Sequence, residues 1–329
     1  MSLSWRFMQT VTTSSLGGID VVSREIVWVC CGFDVPGREP PTPGVVVWTV
    51  DGGQSWQNIT PPGGENLIFH DIEAFDRNHA LALAIGPGQN SKIFRTADGG
   101  ASWDLVFQNQ DPEAFYDGIA FFDQDRGIAL SDPIAGKFRI LATEDGGRSW
   151  QIASASGMPP ALHKEAARAT GTFLVTKGPH DAWFGTQPQG PANSRVFRTS
   201  DDGRTWSAVT TPVAGHPRFG IASLAFRDAQ HGLALGGGDP RHPENPSVVA
   251  ATADGGRTWS QVGSPAGFRP NMALVGDTAV AVGLTGSDFS TDDGHTWQLF
   301  DHTDLRGVSC TNFSCWAVGK GGMAAELMR

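Results

Sequence analysis

An eight-residue pattern that recurs six times constrains this chain more than any other feature. The pattern is Ser/Thr-x-Asp-x-Gly-x-Ser/Thr-Trp, and successive copies of its aspartate lie 47, 47, 56, 53 and 38 residues apart. Self-similarity at such a period is typical of solenoids, propellers and other repeat arrays. The aspartates of this octapeptide are Asp51, Asp98, Asp145, Asp201, Asp254 and Asp292, and its tryptophans are Trp56, Trp103, Trp150, Trp206, Trp259 and Trp297.

The chemistry of the octapeptide is that of a tight hairpin turn. An apolar run precedes most copies, such as residues 92–95, and a short second run follows the tryptophan, such as residues 104–107. Asp-Gly between two β-type runs is a strong hairpin signal, because glycine supplies a positive φ and the carboxylate accepts hydrogen bonds from the turn itself. The tryptophan then buries roughly 150–250 Å². We therefore predict a structural role for all twelve residues.

Two further β-like runs lie between successive copies and predict four strands per repeat. Residues 70–75 and 79–86 form one such pair, and residues 116–121 and 127–130 form the next. Four strands every 47 residues or so is the signature of a propeller blade. Six copies mark six blades; residues 305–310, 315–319 and 323–327 supply three strands of a seventh, and residues 5–11 supply the fourth. The sequence thus predicts an all-β, seven-bladed propeller, one domain over residues 1–329, closed by its N-terminal strand.

Composition argues against several classes of function. The chain has 329 residues, and 24 Lys and Arg against 34 Asp and Glu give a formal net charge of −10, which disfavours a nucleic-acid groove. No apolar run reaches the ~20 residues of a membrane span. The nine histidines are scattered and no dinucleotide fingerprint is present. We expect no metal, no cofactor and a monomer. The start at Met1-Ser2-Leu3 shows no leader, so we expect a cytoplasmic protein, or a periplasmic or secreted one if a leader has been removed.

The four cysteines form two pairs, neither with the spacing of a zinc site. Cys310 and Cys315 lie between two apolar runs, so they can face each other across a hairpin and form a disulfide. The alternative is buried thiols, which is the state that we expect for Cys30 and Cys31. A disulfide would indicate an oxidising compartment.

The octapeptide is similar to the Asp box, or BNR repeat, of sialidases, sortilin-type receptors and some xyloglucanases. Together with Phe121-Phe122-Asp123 and Gly127-Ile128-Ala129-Leu130, it most resembles the photosystem II stability/assembly-factor-like propellers, many of which have no photosynthetic role in bacteria. The resemblance covers nearly the whole chain. It implies a propeller fold and a binding scaffold, although one fold carries many functions.

A sialidase activity is not expected. That chemistry requires three arginines that grip a carboxylate, a tyrosine nucleophile with a glutamate partner, and a catalytic aspartate. The only tyrosine is Tyr116, which we place at the repeat position of His70. Residues 138–141 lack the proline of the corresponding sialidase motif.

The face that carries the long loops is the predicted binding face. Insertions at residues 33–44, 154–168, 187–194 and 237–247 all map to the face opposite the octapeptides, and long loops on a rigid scaffold usually bind ligands. Asp71 and Asp117 begin strands that we treat as equivalent, and Asp132 follows a second strand on the same face. The candidate binding residues are Asp71, Asp117, Asp132, His163 and Glu165.

Two functions follow from these residues. The first is a non-enzymatic scaffold that docks a protein or a small ligand, such as a carbohydrate, on the loop-bearing face. The alternative is a carbohydrate-active hydrolase that uses Asp71, Asp117 and Asp132 as acid and base, because such enzymes need two carboxylates about 5–10 Å apart. A simpler interpretation is that Asp71 and Asp117 only cap turns.

Overall fold

The protein is a seven-bladed β-propeller in which each blade is a four-stranded antiparallel sheet. The computed structural model describes residues 3–31, 44–167, 172–188, 190, 192–215, 220–239 and 241–329. Within each blade, consecutive strands are hydrogen-bonded neighbours, as expected for strands joined by short turns. The predicted fold class and blade number are confirmed.

Blades 1 to 3 contain the following strands, given from the first strand of each blade to the fourth. Blade 1 consists of Leu16–Val21, Val27–Cys31, Val46–Thr49 and Gln57–Asn58. Blade 2 consists of Ile68–Ala74, Ala80–Ile85, Lys92–Thr96 and Asp104–Gln108. Blade 3 consists of Tyr116–Phe121, Gly127–Ile134, Lys137–Thr143 and Gln151–Ile152.

Blades 4 to 6 follow in the same order. Blade 4 consists of Leu174–Lys177, Asp181–Gly185, Asn193–Thr199 and Ser207–Ala214. Blade 5 consists of Ile221–Phe226, Gly232–Gly236, Val248–Thr252 and Ser260–Gly263. Blade 6 consists of Asn271–Val275, Thr278–Gly283, Gly286–Ser290 and Gln298–Asp301. A separate strand pair, Glu165–Ala166 with Gln187–Pro188, links the connector before blade 4 to that blade.

Blade 7 is assembled from both ends of the chain. Its first three strands are Leu305–Cys310, Cys315–Gly319 and Met323–Met328, and its fourth is the N-terminal strand Ser4–Gln9. The two ends pair in antiparallel register, with Trp5 opposite Leu327 and Gln9 opposite Met323. The prediction that the N-terminal strand closes the ring is confirmed, and the sheet edges that an open array would expose are paired.

The six octapeptides adopt one hydrogen-bond pattern. In the third blade, Asp145 accepts bonds at Oδ1 from Thr143 Oγ1 (2.8 Å) and the Ser149 amide (2.9 Å), and at Oδ2 from Ser149 Oγ (2.6 Å). Equivalent bonds occur at the other five aspartates. These bonds favour the charged carboxylate, so the pKa of each aspartate lies below its usual value, at about 2 for Asp51, Asp254 and Asp292.

The octapeptide tryptophans pack against aromatic rings of the core. Trp56 packs edge-on against Trp316 of blade 7, with ring centroids 6.3 Å apart, and Trp103 packs edge-on against Trp28 of blade 1 at 6.4 Å. These two indoles therefore join neighbouring blades. Trp206 packs within its own blade, against Phe184 at 5.0 Å. Each side chain thus contributes both burial and ring geometry to the packing.

Four 3₁₀ turns within the described residues and one disulfide complete the architecture. The turns are Gly64–Asn66, Gly88–Asn90, Ala155–Gly157 and Lys320–Gly322. Cys310 and Cys315 are joined by a disulfide across the hairpin between the first two strands of blade 7, whereas Cys30 and Cys31 are buried thiols. No helix in the described part of the chain is long and apolar enough to cross a membrane.

Replacing one octapeptide carboxylate should measurably destabilise the fold. Asp145→Asn keeps the size of the side chain but removes the charge that three hydrogen bonds share. We expect a loss of about 1–3 kcal/mol in the free energy of unfolding, measured by urea denaturation at pH 7. The control is Asp125→Asn, an exposed aspartate in the adjacent turn, which should stay within about 0.5 kcal/mol of wild type. Equal effects of the two substitutions would contradict the structural role of the octapeptide.

Candidate functional site

Hydrogen bonds between the first strands of neighbouring blades surround the central axis. The first strand is the inner edge of each sheet, so its backbone groups lack a partner strand on one side. Buried backbone groups of this kind must find other partners. Here a side chain of one blade bonds to the adjacent blade at each of the seven blade junctions, and we call this set of bonds the inner ring.

Carboxylates supply the inner ring on one side of the propeller. Asp20 of blade 1 accepts the Ala74 amide of blade 2 at 2.8 Å, and Asp71 of blade 2 accepts the Ile119 amide of blade 3 at 2.9 Å. Each carboxylate therefore accepts a hydrogen bond from an amide that has no partner strand on that side.

Hydroxyl and amide side chains supply the rest of the inner ring. Their bonds run from Thr176 Oγ1 to the Phe121 carbonyl, between Thr172 Oγ1 and Ser223 Oγ, from the Met272 amide to Ser223 Oγ, from Asn271 Nδ2 to the Arg306 carbonyl, and from the Val21 amide to Ser309 Oγ.

The channel is almost closed at the mouth on the loop-bearing face. The cavity there has a volume of about 30 Å³, and its walls include Gly18, His70, Asp71, Thr172, Asn271 and Arg306. This volume is enough for solvent but is far below the roughly 300–1,000 Å³ of sites that hold small ligands.

Burial dominates the electrostatics of the acidic groups near the channel. Burial raises the pKa of Asp71 to about 7, against the hydrogen bonds from the Ile119 and Ile72 amides, and the nearby carboxylate of Asp20 raises it further. Burial likewise raises the pKa of Asp20 to about 6. The pKa of Glu73 lies well above its usual value because of burial and then the charges of Asp20 and Asp71. These three carboxyl groups thus hold protons at a pH where exposed carboxyl groups are charged.

A second pair of carboxyl groups lies in blade 3. Burial raises the pKa of Asp117 well above its usual value, and the charge of Asp132 adds to the effect. Burial also raises the pKa of Asp132 to about 6, although its Oδ1 accepts the Ala167 amide at 2.8 Å. Asp117 Oδ2 is buried and has no hydrogen-bond partner among the described residues. The structure therefore brings together Asp117 and Asp132, two of the predicted site residues.

The assumed equivalence of Asp71 and Asp117 is wrong by one residue. Asp71 pairs with Leu83, whereas in blade 3 it is Gly118 that pairs with the corresponding Leu130. Both strands contain a register shift at which one residue has no partner in the second strand. That residue is His70 in blade 2 and Asp117 in blade 3, so these two are equivalent. Tyr116 therefore corresponds to Phe69. Tyr116 is buried and packs edge-on against Phe107 at 5.3 Å, a setting unlike that of an accessible nucleophile.

Glu165 lies in an internal ion pair. Its carboxylate binds the Arg195 guanidinium in the third strand of blade 4, and it also accepts Thr186 Oγ1 (2.6 Å) and the Leu162 amide (2.8 Å). Asp111 with Arg139 and Arg269 with Asp288 fasten the connectors before blades 3 and 6 to third strands in the same way. Glu165 thus fastens a connector, with both carboxylate oxygens occupied.

His163 lies on the same connector and its side chain is exposed. The neighbouring Ala161 donates its amide to Gly136, at the turn between the second and third strands of blade 3, so this connector lies on the loop-bearing face. Much of the predicted loop surface lies outside the described residues, namely 32–43, 168–171, 189, 191, 216–219 and 240.

Several residues at the channel were missed by sequence reasoning. Asp20 and Glu73 are carboxylates near the ends of first strands, where only the strand register reveals that they approach a neighbouring blade. Thr172, Asn271 and Arg306 lie at or just before first strands that have no conspicuous motif. No group of three or more metal-ligating side chains is present within the described ranges.

Comparisons with known proteins identify the fold only. No protein-family profile matches this sequence, and no curated protein is similar to it. Among solved structures, YCF48 bound to a D1 peptide is similar over 99% of this chain and 97% of that one, with 16% identity and a TM-score of 0.67. Virginiamycin B lyase from Staphylococcus aureus with quinupristin matches over 100% of both chains, with 10% identity and a TM-score of 0.63.

A glycoside hydrolase of similar fold is longer than this chain. The GH74 enzyme of Niastella koreensis is similar over 94% of this chain but only 51% of its own, with 13% identity and a TM-score of 0.59. The chain therefore spans about half of that enzyme. A peptide-bound protein, a lyase and a hydrolase share the architecture, so the activity has to be argued from the site itself.

The raised pKa values predict that stability falls as the pH rises towards neutrality. Between the unfolded pKa of about 3.9 and the folded pKa of about 7, folded Asp71 keeps a proton that the unfolded chain has lost, so rising pH favours unfolding. The amide side chain of the Asp71→Asn variant cannot ionise in either state. The decrease in unfolding free energy between pH 5 and pH 7, measured by urea denaturation, should therefore be smaller in this variant by about 2 kcal/mol. Asp125→Asn is the control and should keep the wild-type pH dependence. An unchanged pH dependence in Asp71→Asn would show that Asp71 is ionised in the folded protein.

Proposed function

We propose that the protein is a non-enzymatic binding scaffold that docks a segment of a partner polypeptide on its loop-bearing face. The observation that carries this proposal is the small cavity at the channel mouth: the inner ring bonds neighbouring first strands together, and the mouth cavity has a volume of only about 30 Å³. A small-molecule site usually needs about 300–1,000 Å³. A partner that stays on the surface needs no such cavity.

The similarity to YCF48 supports a polypeptide as the partner. That protein is bound to a D1 peptide and covers nearly the whole of this chain. We further infer that the octapeptide is an Asp box and that the protein belongs among the assembly-factor-like propellers. This inference rests on the octapeptide's shared hydrogen-bond pattern and on the fold.

A displayed peptide library selected against the immobilised full chain tests the scaffold function. Enriched peptides should protect amides around the mouth, at Gly18, Thr172 and Asn271, from hydrogen exchange. His163→Ala should weaken binding roughly tenfold, whereas Arg77→Ala, an exposed substitution on the octapeptide face, should leave it unchanged. No enrichment, or protection confined to the octapeptide face, would contradict the proposal.

A glycoside hydrolase is the second candidate, and the Asp117–Asp132 pair is the observation that favours it. Burial raises the pKa of both carboxyl groups, and the charge of Asp132 raises that of Asp117 further, so the two can divide the roles of acid and base. The burial of Asp117 argues against access for a sugar.

A panel of nitrophenyl glycosides separates the two functions. The scaffold function predicts no turnover above a heat-denatured control. Turnover that disappears in Asp117→Ala, while the variant keeps its wild-type melting temperature, would establish the hydrolase instead.

A further inference from the structure

Grooves between neighbouring blades open on the octapeptide face, opposite the loop-bearing face. One side chain decides how far each groove is filled: the residue immediately before the first Ser or Thr of the octapeptide. At this position the six blades carry Trp48, Arg95, Ala142, Arg198, Ala251 and Phe289. Two blades thus have alanine where the other four have a large side chain.

Two of the large side chains, Trp48 and Arg95, reach the octapeptide of the next blade. Trp48 lies against the next octapeptide, because a Cβ added to Gly99 would be 2.8 Å from the edge of the indole. Arg95 donates Nε to the carbonyl of Gly146 in the following octapeptide at 2.9 Å. Phe289 is buried and packs against Phe300 of its own blade at 5.9 Å. The fold itself therefore seats an aromatic or guanidinium side chain at this position.

The groove between blades 5 and 6 is open because Ala251 leaves that position empty. Its volume is about 410 Å³, within the range of sites that hold small ligands or single large side chains. The floor is apolar and is formed by Ala225, Leu233, Ala251, Val262, Leu274 and Ala279. We call this site the blade 5–6 groove.

The rim of the blade 5–6 groove carries an excess of negative charge. Arg227 Nη1 lies 3.0 Å from Asp293 and 3.4 Å from Asp277, and both carboxylates are largely exposed, at 61% and 87%. Asp293 occupies the octapeptide position that is glycine in blades 1, 2, 3 and 5. One guanidinium thus faces two accessible carboxylates, a balance that favours a cationic partner.

Arg227 reaches across the rim of the blade 5–6 groove to Asp293 of the next octapeptide. In the groove between blades 2 and 3, the guanidinium that reaches the next octapeptide comes from the third strand, at Arg95. In the blade 5–6 groove it comes from the turn between the first two strands and spans the rim. A flat ring beneath it would gain both apolar burial and a cation–π contact.

We propose that the blade 5–6 groove binds an aromatic side chain of a partner polypeptide, with lysine or arginine next to that aromatic residue. The ring takes the place that Trp48 takes in its own groove, and the flanking cations face Asp277 and Asp293. This site lies on the opposite face from the scaffold site proposed above, so the two proposals stand independently.

Three capped tripeptides separate the contribution of the ring from that of the charge. Acetyl-Lys-Trp-Lys-amide carries both, acetyl-Lys-Ala-Lys-amide lacks the ring, and acetyl-Glu-Trp-Glu-amide reverses the charge. Titration of the full chain, followed by the methyl resonances of Leu233, Val262 and Leu274, should give an affinity for the first peptide at least tenfold higher than for the other two. Equal affinities for the two lysine peptides, or no binding of the first peptide at millimolar concentration, would overturn the proposal.

Ala251→Trp places an indole in the groove and should weaken binding of acetyl-Lys-Trp-Lys-amide at least tenfold. Ala142→Trp makes the same change in the groove between blades 3 and 4, and should leave the shifts of Leu233, Val262 and Leu274 unaltered. If Ala251→Trp does not fold, the double variant Asp277→Asn and Asp293→Asn serves instead, because asparagine tolerates the positive φ of 56° at position 293. It should abolish the preference for lysine over glutamate, and a retained preference would overturn the proposal.

Discussion

Seven sheets share one axis, and each brings an unpaired strand edge to it. The inner ring supplies hydrogen-bond partners for these edges, since side chains such as Asp20, Asp71 and Ser223 bond to the backbone or side chains of the adjacent first strand. Each such bond satisfies a buried polar group that would otherwise be costly. The same bonds draw the strands together and leave little space at the mouth. Stability and the absence of a deep channel-mouth cleft in the described residues therefore have one cause.

The carboxyl groups of the octapeptides and those near the channel have pKa values shifted in opposite directions. The octapeptides hold exposed turns through charged carboxylates, whose pKa values are lowered by hydrogen bonds. Near the channel, carboxyl groups such as Asp71 have raised pKa values because they are buried. The two groups respond oppositely to acid: below about pH 4 the turns lose stability, whereas between about pH 4 and the raised pKa values the channel carboxyl groups cost stability, because they keep protons that the unfolded chain releases. We therefore expect maximal stability at a mildly acidic pH.

Much of the fold could be predicted from the sequence, because the octapeptide repeats in register and its hairpin chemistry is local. Ring closure followed from counting strands at the two ends. The candidate site was harder to predict. Both first strands contain the same register shift, and the 47-residue spacing that relates Asp98 to Asp145 relates Asp117 to His70 rather than to Asp71. Thr172 and Asn271 contribute through contacts between blades rather than through a motif. The open blade 5–6 groove, in contrast, could have been found by aligning Ala251 with Trp48.

Hydrogen exchange at single-residue resolution tests the inner ring most directly. The amides of Val21, Ala74, Ile119 and Met272 belong to inner edge strands, yet each donates to a side chain of a neighbouring blade. If the inner ring seals the channel, these four amides exchange as slowly as amides in the central second strands, such as those of Ala82 and Leu130. Exchange as fast as in the exposed turn at Asn78 would mean that water enters the channel freely, and the account of a sealed scaffold would be wrong.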